Sequence, residues 1–214
     1  ERIDNHDKVK TKVVDVILFS GILARTKFVG VSLPNDLAII EKYGSEVTLF
    51  NQPNDLRLKE HIRPTFNRIF PKAFRQGFTQ EDLRRGYLRA VALHELAHSF
   101  LHYRNAQKNL QDLFPVIDEL VATILGLKMA GSLLLKDRIN NKQLESMIVT
   151  FLCRSLSHIK TSKTNKPLAN YAVGAKIFIN FMIENGALKQ AQRMMVPNFM
   201  KIFVIPATYN EADN

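Results

Sequence analysis

The chain has 214 residues, with 30 Lys and Arg against 20 Asp and Glu, a formal net charge of +10. At 46% hydrophobic and 23% charged, with 9 Gly and 8 Pro, it can bury a sizeable core and is neither fibrous nor compositionally disordered. The single cysteine, Cys153, excludes an internal disulfide framework and a cysteine-cluster metal site, so any metal would have to be held by His and carboxylates.

The longest apolar stretch near the start, residues 13–24, is interrupted by Asp15. It falls far short of the roughly 20 residues needed to span a bilayer, so no membrane insertion is expected. The chain begins at Glu1 with polar residues and no charged-then-apolar leader. Localisation is not fixed by this, and a leaderless route into a host cytosol stays open.

In chain order, residues 12–50 form the strand-rich part. The runs 12–19, 27–33 and 46–50 are rich in Val, Ile, Leu and Phe, and a short helix over 35–43 between the last two should end at Gly44. Residues 55–196 read as mainly helical. Residues 57–89 are locally basic, yet Phe66, Phe70, Phe74 and Phe78 recur every four residues, the spacing of one helix face, and argue for packing rather than base stacking. A solvated basic surface is expected there, and no nucleic acid partner.

Thr79, followed three residues later by Asp82, predicts an N-cap and a helix over 80–104. Its middle, residues 90–101, is apolar nearly all round, the pattern of a helix buried at the centre of a fold. After a polar loop, Pro115 opens a helix over 116–130 that Gly131 should close. Helices over 141–158 and 168–185 follow, the latter ended by Gly186, and residues 199–205 are expected to return as an edge strand. Strands first and helices after predict an α+β fold in one domain, residues 1–214: a small N-terminal sheet, then a helical half.

The buried helix contains His94-Glu95-Leu96-Ala97-His98. Residues four apart lie one turn above each other, so two imidazoles can bind one metal ion, while Glu95, about 100° round the helix, can reach a water on that metal. The spacing suits zinc. A catalytic zinc needs a third protein ligand and an open position. His102 stands four residues beyond His98, but three residues along one straight helix diverge too far to close on one small ion. Arg104 and Leu101 stand where a metzincin would carry its third His and a Gly, which excludes that class. Glu119, on the next helix, can fold back opposite His94 and His98.

With twenty residues between His98 and Glu119, the pattern resembles the gluzincin zinc metallopeptidases. More loosely, residues 88–187 resemble the catalytic half of the dipeptidyl-peptidase-III-like enzymes, through Asp118-Glu119-x-x-Ala122 and the stretch from Tyr171 to Gly186. That family carries one extra residue in its first motif and an acidic residue where this chain has Thr123, and its two-lobed exopeptidases are far longer. The size, basic charge and His-Glu-Leu-Ala-His motif are also similar to those of bacterial effector proteases that cleave host actin.

These resemblances imply a zincin-like fold, a Zn²⁺ cofactor held by His94, His98 and Glu119, and a compact endopeptidase acting on a protein substrate, with actin one expectation. They imply Glu95 as the general base and Tyr171, or after it His158, as the oxyanion donor. The competing readings are a zinc-stapled interaction protein with Cys153 as fourth ligand, a nucleic-acid-binding module, and a zinc hydrolase of a non-peptide amide.

Overall fold

The computed structural model describes residues 8–18, 20, 28–34, 36–101, 103, 105–162, 169–191 and 194–197. Strands β1 (Val9–Val14), β2 (Gly30–Leu33) and β3 (Ser45–Phe50) form a mixed sheet in the order β1-β3-β2, β1 parallel and β2 antiparallel to β3. In β3, buried Ser45, Val47 and Leu49 alternate with half-buried neighbours, the two-residue period of a strand with one face on a core. β1 begins earlier and stops sooner than the expected run over 12–19, because its register is set by β3, with Val9 opposite Ser45 and Val14 opposite Phe50. Helix α1 (Leu37–Tyr43) starts where the Asp36 carboxylate accepts from the amides of Ala38 and Ile39, and it ends at Gly44, whose φ of 82° favours glycine.

Helix α2 (Asn51–Arg57) runs through a π turn (Leu58–Ile62) into α3 (Arg63–Ile69), and a short α4 (Lys72–Arg75) follows. The four phenylalanines are not on one helix face as their spacing predicted. Phe66 lies in α3 and Phe74 in α4, and the chain turns at Phe70 and Phe78, so the rings close into one cluster with Phe66 5.4 Å from Phe70 and 5.8 Å from Phe78. Packing is their role, though by a different geometry.

Helix α5 (Gln80–His98) opens on the predicted cap, the Thr79 hydroxyl accepting from the Asp82 amide and the Asp82 carboxylate accepting from that of Thr79. It stops six residues before the expected end. Ser99, Phe100 and Leu101 bond back three residues rather than four, and the buried Ser99 hydroxyl accepts from Ser45 Oγ at 3.0 Å, which ties the helix end to the start of β3. His102 lies outside the described residues.

Helix α6 (Ala106–Leu110) and a 3₁₀ turn lead to α7 (Phe114–Leu135), which runs through Gly131 instead of ending there; the left-handed residue comes only at Asp137, φ 54°. Helices α8 (Asn141–Thr161) and α9 (Ala169–Glu184) follow, and Gly186 terminates α9 with φ 67°, as its sequence position predicted. A hairpin of β4 (Leu188–Ala191) and β5 (Met194–Pro197) was not predicted, and the strand expected over 199–205 lies outside the described residues.

The architecture is α+β, mostly helical with a small mixed sheet. Helix α5 sits at its centre, packed on α7 and α8 and covered at its C-terminal half by β2 and β3. Two glycines allow the close approaches. A Cβ on Gly86 of α5 would stand 2.6 Å from the Ser146 carbonyl carbon of α8, and one on Gly126 of α7 would stand 3.2 Å from the His94 backbone nitrogen. Among the described residues no helix is long and apolar enough to cross a membrane.

Candidate metal centre

His94 and His98 project from the last turns of α5 toward α7, where Glu119 lies one turn after Pro115. One ligand atom from each of His94, His98 and Glu119 lies within 4.8 Å of the others. Glu119 Oε2 is 3.2 Å from His94 Nε2, and Oε1 is 3.9 Å from His98 Nε2. Ligands at about 2.0–2.1 Å around a tetrahedral zinc stand about 3.4 Å apart, so these two separations bracket the value such an ion needs. Glu119 Oε2 is buried and has no hydrogen-bond partner among the described residues, although His94 Nε2 is close by. The two atoms face each other at ion-pair distance, a separation that also suits two ligands of one ion. The residues fit a zinc ion.

Electrostatics agree with that fit. Burial, then the Arg154 charge, lowers the His94 imidazole to about 4, so it is neutral at pH 7 with a lone pair to offer. Burial alone would raise Glu119, but the adjacent His94 and the His98 and Arg154 charges outweigh it and hold the carboxyl at about 2, hence ionised. For His98 burial is likewise outweighed, here by the carboxylates of Asp118, Glu119 and Glu95, and the net shift is upward. Asp118 Oδ2 stands 3.1 Å from His98 Nδ1, which leaves Nε2 of that ring to face Glu119.

Glu95 is 8% exposed, and burial raises its carboxyl above the ordinary value. It lines, with His98, Glu119, Tyr171 and Gly30 of β2, a cavity of about 1160 Å³. Tyr171 lies at this wall, and burial followed by the Glu119 carboxylate pushes its phenol well up, so it is a protonated donor at neutral pH. His158 stands elsewhere. It packs edge-on against the Tyr171 ring at 5.2 Å and lines, with His94, Glu119 and Arg154, a second and much smaller pocket, its imidazole lowered to about 3 by burial and by Arg154. Cys153 is fully buried, burial raises its thiol, and it is not part of the ligand cluster.

Sequence reasoning missed two neighbours of the site. Asp118 was visible as an acid directly before Glu119 but was given no role. Arg154 is 8% exposed, yet Met147, Phe151, Arg154 and His158 recur at helical spacing on one face of α8, and a cation on a face otherwise buried was the available signal.

No protein-family model matches the chain. Among curated proteins it is similar to Nudix hydrolase 3 of Arabidopsis thaliana, 23% identical over 185 residues that make up 82% of this chain and 23% of that protein. Among solved structures it is similar to dipeptidyl-peptidase III from Corallococcus sp. strain EGB, with a TM-score of 0.77, 18% identity and 92% of this chain covered, and to DPP III from Caldithrix abyssi, with 0.68, 19% and 83%. The fold is therefore DPP-III-like. The chain spans about a third of each of those two structures, 37% and 34%.

Proposed function

We propose that the chain is a zinc-dependent peptidase. The observation that carries this is the convergence of His94, His98 and Glu119, of which His98 and Glu119 line a large cavity together with buried Glu95. The DPP-III-like fold supports the same reading, since the named neighbours are peptidases. The Nudix similarity carries no activity over to this chain, because the match covers under a quarter of that protein.

His94 Nε2, His98 Nε2 and a Glu119 carboxylate oxygen would hold the ion. When bound, zinc supplies Lewis acidity and a water of lowered pKa. Glu95 accepts the proton of the attacking water, a task suited to a carboxylate whose affinity for protons burial has raised, and returns it to the departing amine. Asp118 fixes the His98 ring through Nδ1. The protonated phenol of Tyr171 donates to the carbonyl oxygen as it gains charge, and His158 holds the Tyr171 ring from behind.

A cavity open along β2, an edge strand of its sheet among the described residues, accommodates a stretch of polypeptide, which favours a protein substrate cut internally. An acidic partner would suit the charge of +10; that charge is the support here for actin as a substrate, and for an effector role. The test is elemental analysis for one zinc per chain, together with a screen for new peptide termini in a cell lysate comparing the wild type with Glu95→Ala. Zinc in both proteins and new termini only with the wild type are expected. Absence of zinc at saturating supply, or equal cleavage by Glu95→Ala, would overturn the reading.

A further inference from the structure

The two ligating imidazoles are held differently. His98 has Asp118 at Nδ1, whereas His94 Nδ1 is buried with no hydrogen-bond partner among the described residues. If Nε2 of His94 faces the metal, Nδ1 carries the proton and must donate somewhere. Arg154 presents a second unmatched donor: its Nη1 is buried without a hydrogen-bond partner, and the residue has no ion-pair partner among those described. Leaving either donor unpaired in a buried place is costly, more so for the charged one.

Both residues line the same small pocket of about 20 Å³, together with Thr123, Ser155 and His158, and the two unpaired nitrogens are themselves buried. That volume holds one water, which needs two to four polar partners. Thr123 Oγ1 donates to the Glu119 carbonyl at 2.8 Å, so toward the cavity it has only acceptor lone pairs left. Two donors and one acceptor thus meet around a space of one water.

Resting on the zinc reading above, we propose that Arg154 is a positioning residue: with Thr123 it fixes a single buried water that accepts the Nδ1 proton of His94 and so orients that ring for the metal. Arg154 does for His94, through a water, what Asp118 does directly for His98. A second carboxylate here would pair with Arg154 instead; a neutral water satisfies both donors without adding charge behind Glu119.

The test is a competition titration of zinc against a chelator, on the full chain, for the wild type, Arg154→Met, Arg154→Lys and Thr123→Val, with the His94 Nδ1 proton followed by NMR. Arg154→Met should weaken zinc binding about 10- to 100-fold, the usual cost of losing a group that orients a ligand, and should abolish the slowly exchanging Nδ1 proton signal. Arg154→Lys, which keeps a donor, should restore affinity to within a few-fold of the wild type. Thr123→Val keeps the shape of the side chain and should weaken zinc several-fold even if Arg154→Met fails to fold. Wild-type protein that binds zinc beside Arg154→Met and Thr123→Val variants of the same affinity and the same Nδ1 signal would overturn the role of Arg154 alone. Wild-type protein that binds no zinc would overturn the metal reading and this one with it.

Discussion

Gly30 and Glu95 approach so closely that a Cβ on Gly30 would stand 2.8 Å from Glu95 Cγ and 3.3 Å from Cδ. Strand β2 thereby presses on the side chain assigned to proton transfer, and the contact requires the absence of a side chain at residue 30. Gly30→Ala should displace the Glu95 carboxylate and also crowd Leu49 Cδ2, 2.9 Å away. The expected outcome is a fall in kcat on the order of 100-fold, the scale of an ångström-sized misplacement at a reacting group. Zinc content should not change, because no ligand moves. Loss of zinc in step with activity would show that the strand supports the ligands rather than the base.

The pairing of His98 with Asp118 predicts a graded effect on the metal. Asp118→Asn keeps a hydrogen-bond acceptor but removes the charge and should weaken zinc about 10-fold or more. Glu119→Gln removes a ligand charge and should weaken it further. A titration ranking Asp118→Asn at or above Glu119→Gln in damage would contradict the division into ligand and support.

Closeness between α5 and α8 makes a prediction about stability alone. The Cβ of Gly86→Ala would meet the Ser146 carbonyl carbon at 2.6 Å and its oxygen at 2.7 Å, and backbone cannot swing aside. A cost of about 1–3 kcal/mol is expected, as for overpacking, despite the gain in helix propensity that alanine brings. Urea denaturation should show it as a lowered midpoint; unchanged stability would mean the helices separate freely there.

The cap of α5 predicts a dependence on pH. Asp82 accepts from the backbone amide of Thr79 at 2.8 Å, which lowers its carboxyl below the ordinary 3.8. A folded-state value below the unfolded one means the contribution is present above pH 3.8 and is lost as pH falls through the lower folded value. Thr79→Ala should cost about 1 kcal/mol at pH 7. The stability difference between wild type and Asp82→Asn, measured by thermal melts, should shrink as the pH drops below 3.8.

Much of this site could be read from spacing, because α5 is a regular helix and its geometry is local: four residues separate His94 from His98, and no fold information is needed to put them on one face. Gly44 and Gly186 were legible as helix ends for the same reason, since a positive φ is a property of one residue. Gly131 shows the limit, as a glycine inside a long apolar helix looks the same in sequence as one that ends it. What could not be read is contact between elements. The early exit of α5 depends on Ser99 meeting Ser45, 54 residues away, and Arg154 joins the site only because α8 packs behind α7 and α9. Gly30 came next to Glu95 through the register of β2 on β3, which no local pattern encodes.

The close approach of Gly126 to the His94 backbone is made by main chain, and it sets how far apart α5 and α7 stand beside His94. The surrounding core, from Tyr87 and Val91 on α5 to Ile148 and Leu152 on α8, is built of buried apolar side chains. A buried apolar core of this extent predicts a socket rather than a fold that metal assembles. Stripping zinc with a chelator should leave the circular dichroism spectrum in place and lower the melting temperature only as far as the lost binding free energy dictates, so that one chain could be emptied and reloaded with cobalt or manganese without passing through an unfolded state.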